Sequence, residues 1–236
     1  PSLEKGAISA IDNQLIGNTT ALYMEGDVLW LGANKAVIGK VSNGTSKRWN
    51  LSLSGGRSRV KKIVKIEGSS DLLFVAEEAL IFKNQNDVFS RLTGSVKVMQ
   101  PWSDSRIVVG TTNQVLIFDR EDFMKRFIKE NDIDRNYPMT SFKGYPNIAK
   151  IISKGSVMDM ELYQEGLLIS TALGLYFLDA DLNYRKLAGH PVMSNVINDI
   201  NVLSDSSYLL ATNGFGTFLY RDGLWTSFSS KNGMSS

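Results

Sequence analysis

Apolar residues fall in short runs, and five segments share one shape: an apolar run, a small residue, a polar turn and a second apolar run. They are VLWLGANKAVIGKV, LLFVAEEALIF, IVVGTTNQVLIFD, LLISTALGLYFLD and YLLATNGFGTFLY. Aligned on the small residue they give Gly32, Ala76, Gly110, Ser170 and Ala211, at intervals of 44, 34, 60 and 41. Runs rich in Val, Ile, Leu, Phe and Tyr with turn formers between them read as tight hairpins. A weaker run precedes each hairpin: TTALYM, VKKIVKI, SVKVMQ, VMDMELY and VINDINVL. The last alternates imperfectly, as a strand buried on both faces is free to do. Behind three hairpins comes an aromatic-x-x-apolar run, at Phe89–Leu92, Tyr184–Leu187 and Trp225–Phe228. Trp49 and Phe127 occupy similar places without it.

Each unit thus reads as four antiparallel strands. Such a sheet cannot cover both of its faces alone and must stack on neighbours. Recurrence at roughly 40–50 residues is that of four-stranded propeller blades. The expected fold is all-β: a β-propeller of about five four-stranded antiparallel blades, forming part of a larger propeller. One domain or propeller fragment covers 1–236, with units at about 13–53, 54–93, 94–154, 155–188 and 189–236. A β-sandwich with similar hairpins is the alternative. The hairpin turns at Asn34, Glu78, Thr112, Ala172 and Asn213 are expected at one common end. Leu29, Val108, Ile169 and Leu210, all in second strands, are expected in the core.

The 60-residue interval reflects a long connection between blades over 122–155. There Phe123, Phe127 and Ile128 suit one face of a short helical turn. Pro138 and Pro146 oppose regular structure further on. Met234-Ser235-Ser236 resembles Met193-Ser194-Asn195, which opens the fifth unit, so the last residues read as the entrance to a further repeat. Residues 1–12 read as the outer strand of a preceding one.

The remaining features narrow the function classes. Apolar content of 43% and charged content of 21% are globular values. A net charge of +2 supplies no concentrated basic field for nucleic acid. No apolar run is long enough to span a bilayer, so no membrane contact is expected of this segment. With no cysteine and one histidine, thiolate chemistry and imidazole-rich metal sites are excluded. His190 reads as an exposed loop residue, and the Asp-rich stretches lack the spacing of a calcium-binding loop. No catalytic residue, metal site or cofactor is assigned. A propeller glycosidase would need carboxylates converging on the axis, and no shared acidic position recurs between units. Asn18, Asn43 and Asn50 fit glycosylation acceptors, without informing function.

The residues also resemble a family. GDVLWLGANKAVIGKV is similar to the repeat of two-component regulator propellers, matching at Asn18, Gly26, Leu29, Trp30, Leu31 and Gly32. Thr171, Gly174, Leu175, Tyr176 and Asp179 match in the fourth unit, and WTSFSSKNGMSS resembles the family's aromatic strand and the entrance after it. The second unit departs, with Ala76-Glu77 in place of Gly-Thr and no Trp. The resemblance implies a periplasmic sensor segment of a Bacteroides-type hybrid histidine kinase, recognising a glycan or related small molecule, with kinase activity in other regions. Its partners would be that ligand and either the remaining blades or a second copy of the chain. The expected ligand-binding residues are the turn residues Asn34, Lys35, Glu77, Glu78, Asn113 and Asn213, whose amides suit hydroxyl-rich ligands. The alternative is a protein-interaction scaffold like the WD-repeat proteins, which would be cytoplasmic. Here AGHPVM supplies one Gly-His, and no unit supplies Trp-Asp.

Overall fold

A computed structural model describes residues 18–51, 59–66, 70–77, 79–87, 89–93, 96–103, 105–130, 147–153 and 155–229. The described residues form five four-stranded antiparallel sheets, each with its strands in sequence order. Sheet I comprises β1 (Thr19–Glu25), β2 (Val28–Ala33), β3 (Val37–Ser42) and β4 (Thr45–Asn50). Sheet II comprises β5 (Val60–Lys65), β6 (Leu72–Ala76), β7 (Ala79–Lys83) and β8 (Phe89–Thr93). Sheet III comprises β9 (Val98–Trp102), β10 (Arg106–Gly110), β11 (Gln114–Asp119) and β12 (Ala149–Ile152). Sheet IV comprises β13 (Val157–Tyr163), β14 (Gly166–Thr171), β15 (Gly174–Leu178) and β16 (Tyr184–Lys186). Sheet V comprises β17 (Ile197–Ser204), β18 (Ser207–Thr212), β19 (Gly216–Arg221) and β20 (Leu224–Phe228). The chain divides into two compact units, one holding sheets I and II and the other sheets III to V.

In the first unit, sheet I packs one face on sheet II. Trp30 and Ile38 meet Val60, Ile63, Phe74 and Ile81, and the rings of Trp49 and Phe89 lie 5.2 Å apart beside them. Every residue of β6 and β7 is buried, which is why these strands read as unbroken apolar runs. Two lysines join this layer. Lys40 and Lys83 place their ammonium groups 5.0 and 4.7 Å from the Trp30 ring centroid, and both reach the Asp87 carboxylate, at 3.1 and 3.5 Å. Lys83 is only 5% exposed. The indole face, Asp87 and the Ser70 carbonyl at 3.3 Å replace the water that its charge loses.

In the second unit, Val108 and Ile117 of sheet III pack on Met160 and Ile169 of sheet IV. Leu168 and Leu175 of sheet IV then pack on Ile197, Ile200 and Leu210 of sheet V. Leu29, Val108, Ile169 and Leu210 are all buried, as are almost all their neighbours in β2, β10 and β14, so their burial reflects strands covered on both faces rather than a single strand phase.

The recurrent small residue has a steric cause. A Cβ at Gly32 would lie 2.5 Å from Val60 Cγ1, and one at Gly110 would lie 2.6 Å from Val157 Cγ1. Val60 and Val157 each open the first strand of the following sheet, so that strand presses on the glycine.

Two expectations require correction. VINDINVL alternates imperfectly because β17 slips register between Ile197 and Asp199 and again between Val202 and Ser204. It is not buried on both faces, since most of its positions are exposed or half-buried. The same early slip recurs in β1, β5 and β13, so an extra residue near the start of the first strand belongs to the repeat. The long insertion does not connect one sheet to the next: it lies inside sheet III, between β11 and β12, which pair directly. It opens with α1 (Arg120–Glu130), so Phe127 is helical and not in a fourth strand. Asp119 accepts the Asp122 N–H at 2.9 Å, and Glu121 and Asp122 favour the positive end of the helix. Phe123 is buried against Phe118 at 5.0 Å. The side chains of Phe127 and Ile128 lie outside the described residues.

Candidate functional site

The turns between second and third strands of sheets II, IV and V are braced in one way. A turn N–H donates to the residue just ahead of the sheet's own first strand: Glu77 to the Arg59 carbonyl, Ala172 to Ser156 and Asn213 to Val196. This brings each turn to the end where its sheet begins. Neighbouring sheets are joined at that end. Thr20 Oγ1 donates to the Val60 carbonyl at 2.6 Å, and the Val157 N–H donates to the Thr111 carbonyl at 3.1 Å. Within each unit, therefore, the turns share one end.

A threonine follows the small residue in three of the turns. Thr111, Thr171 and Thr212 donate to the carbonyls of Gln114, Gly174 and Gly216 at 3.2, 3.1 and 2.7 Å. Thr171 Oγ1 also accepts the Leu173 N–H at 3.0 Å. A hydroxyl is both donor and acceptor, so one side chain closes the turn from within. Gly174 and Gly216 lie at φ of 121° and 88°, and a Cβ there would stand 2.3 Å from the Met193 carbonyl and 2.2 Å from that of Phe228. Sequence reading passed over this brace, although its signal was present: a threonine directly after Gly110, Ser170 and Ala211.

These braces hold up apolar tips in the second unit. Leu173 is 47% and Phe215 61% exposed, in equivalent turns of sheets IV and V. A large apolar side chain left in water forgoes about 1.5–3 kcal/mol of burial. Asn113 and Asn213 are exposed in the turns of sheets III and V. In the first unit, Asn34 and Lys35 are exposed in a 3-10 turn, Lys35 at φ 59°. Glu77 is half-buried and pairs with Arg59 at 3.4 Å. Glu78 lies outside the described residues. The five described residues of this set therefore divide between the two units, with Asn34, Lys35 and Glu77 in one and Asn113 and Asn213 in the other.

His190 is not the exposed loop residue that was expected. It is half-buried, stacked on Trp225 at 4.6 Å and edge-on to Phe218 at 5.9 Å. Its Nδ1 accepts the Val192 N–H at 3.2 Å, capping the 3-10 turn Pro191–Ser194. The same aromatic group contains Tyr163, Tyr208 and Tyr220. Burial pushes the Tyr208 phenol far above its ordinary range and raises Tyr163 as well. The histidine is thus taken up in packing between sheets IV and V. Among the described residues no group of three His, Cys, Asp or Glu side chains stands together to hold a metal, and no helix is long and apolar enough to cross a membrane.

No protein-family model matches this sequence, and no curated protein sequence matches it. The structure is similar to the Neurospora crassa Pan2 WD40 domain, with a TM-score of 0.56 and 12% identity over 86% of this chain and 62% of that one. It is also similar to the WD40 β-propeller domain of Doa1, with a TM-score of 0.61 and 10% identity over 89% of this chain and 68% of that one. The chain therefore spans less than two thirds of the Pan2 domain. Likeness at this identity shows the fold: the protein is an all-β propeller of four-stranded blades.

Proposed function

We propose that this chain is a protein-interaction module that receives its partner at the end carrying the turns between second and third strands. The observation that carries this reading is the pair Leu173 and Phe215, apolar side chains held out in equivalent turns of neighbouring blades. A turn needs glycine or a short polar residue at its tip for backbone reasons, and neither leucine nor phenylalanine meets that need. Rigid blades carrying exposed apolar anchors match the usual architecture of a binding surface, with the braces supplying preorganisation. The scaffold alternative accords better with WD40-like structures than does a sensor. It places no catalytic group in this chain.

The test is a photo-crosslinking residue at Phe215, with a control at Ser206, in the organism's own cells. One defined partner captured at 215 but not at 206, and lost when Leu173→Ser is added, is the expected result. Identical capture at both positions, or capture unaffected by Leu173→Ser, would overturn the reading.

A second reading rests on the exposed amides of Asn113 and Asn213 at the same end of the second unit. Under the resemblance to two-component regulator repeats, this end would meet a glycan outside a membrane. Glycan titration against Asn113→Ala and Asn213→Ala separates the two readings, since the sensor predicts weakened binding and the scaffold predicts no glycan binding at all.

A further inference from the structure

Tyr163 closes β13, Tyr208 stands near the start of β18, and Tyr220 and Trp225 pair across β19 and β20. All four lie at the end of sheets IV and V opposite the turns that carry Leu173 and Phe215. The Tyr208 ring is buried, with Tyr163 at 5.2 Å, Tyr220 at 4.9 Å and Trp225 at 6.0 Å. Tyr163, Tyr220 and Trp225 are only half-buried. His190 stacks on the indole. The group lies wholly within the second compact unit.

Packing accounts for these rings and not for their polar ends. A buried Tyr O–H or Trp N–H ordinarily finds a partner. Among the described residues, the three hydroxyls and the Trp225 Nε1–H have none, and none of the four is sealed from water. The hydroxyls also stand close together. Burial, then the Tyr163 and Tyr220 phenols, raise Tyr208, while burial, then Tyr220 and the Asp205 carboxylate, raise Tyr163. The group therefore offers several donors on half-exposed aromatic surface, beside one carboxylate.

Donors of this kind select a ligand rich in acceptors. Asp205 opposes an anion through like charge. A glycan brings donors as well as acceptors, whereas a proline-rich segment brings acceptors alone. Proline has no N–H, a polyproline II helix leaves its carbonyls unpaired, and its rings present apolar surface to aromatic ones. The five prolines of this chain are scattered, so such a segment belongs to another protein.

We propose that this aromatic end of sheets IV and V binds a proline-rich segment of a partner protein in the polyproline II conformation. Its carbonyls accept from Trp225 Nε1 and from the Tyr163 and Tyr220 hydroxyls, and its pyrrolidine rings lie on the half-exposed aromatic surface. Tyr208 and His190 hold the donors in place. The site is at the opposite end from the apolar turns that the proposed function uses, so either assignment can fail without the other.

The chain has four tryptophans, and fluorine NMR of protein labelled with 5-fluorotryptophan reports on each, Trp225 being assigned by Trp225→Phe. The probe is decaproline, with a Gly-Ser peptide of equal length as control. Decaproline is expected to shift the Trp225 signal saturably, and the control peptide to leave it in place. Tyr163→Phe and Tyr220→Phe keep the rings and remove only a hydroxyl. Each is expected to weaken binding about fivefold, the worth of one hydrogen bond. Absence of a saturable shift, an equal shift with the Gly-Ser peptide, or undiminished affinity when both hydroxyls are removed would overturn the proposal. An equal shift with maltohexaose would do so too, because a glycan would then be the ligand.

Discussion

The Asp159 carboxylate of sheet IV accepts the backbone N–H of Ile200 in sheet V, at 2.9 Å, with Asp159 itself only 5% exposed. Its own N–H donates to Ser170 Oγ at 3.0 Å. One side chain therefore ties two first strands together at a place that water does not reach. Asp159→Ala leaves the Ile200 N–H without this acceptor, and an orphaned buried donor costs about 1–3 kcal/mol. Urea unfolding should show a loss of that size, and a change near zero would mean that water replaces the carboxylate.

Gly32 and Val60 test the steric account of the small residue. Gly32→Ala forces a Cβ to within 2.5 Å of Val60 Cγ1, and overpacking of this kind costs about 1–3 kcal/mol. Adding Val60→Ala removes the clashing methyls. The double variant should then be less unstable than the sum of the two single changes, a coupling readable in a double-mutant cycle. Strict additivity would sever the link between these residues.

Lys83 and Asp87 make a third test. Replacing a buried charge by an apolar side chain of similar volume is often close to neutral, whereas removing the partner alone leaves the charge uncompensated. Lys83→Met should therefore change stability little, while Asp87→Ala should cost about 1–3 kcal/mol through the two ammonium groups left over Trp30. Equal losses for both variants would show that Lys83 holds the junction by itself.

Asp179 sets a dependence on pH. Its oxygens accept from the Asn183 side chain at 3.0 Å and from the backbone N–H groups of Asn183 and Asp181 at 2.9 and 3.1 Å. The side-chain bond from Asn183, with these backbone bonds, holds its carboxyl below the ordinary value of 3.8. A folded pKa below the unfolded one contributes stability above the unfolded value, and that contribution is lost as pH falls through the folded one. Asp179→Ala should accordingly be less stable than the parent at neutral pH, with the difference shrinking as pH drops below 3.8. A difference that persists unchanged in acid would assign the effect to packing.

The hairpins were legible because their information is local. Strand runs and turn formers lie within a few residues of one another. The register of sheet II was not legible in this way: Val75, opposite Lys62, and not Ala76, holds there the place that Ser170, opposite Asp159, holds in sheet IV. The burial of Leu29, Val108, Ile169 and Leu210 followed from their place in apolar runs and not from one shared face. The end shared by Asn34, Lys35 and Glu77, and by Asn113 and Asn213, followed from repetition. Leu173 and Phe215 were visible as letters, but their exposure was not, because an apolar residue in a turn can fold inward or stand out.

The sequence by itself determined the repeating four-stranded unit and the class of fold. Tertiary structure decided what depends on a neighbour. It placed His190 on Trp225, drew Lys40 and Lys83 to one indole, and put the long insertion inside sheet III. The division has a physical basis. Backbone pairing and side-chain alternation are properties of a segment, whereas burial and the pairing of charges are properties of whatever sheet lies across from it, and no pattern within a segment names that sheet.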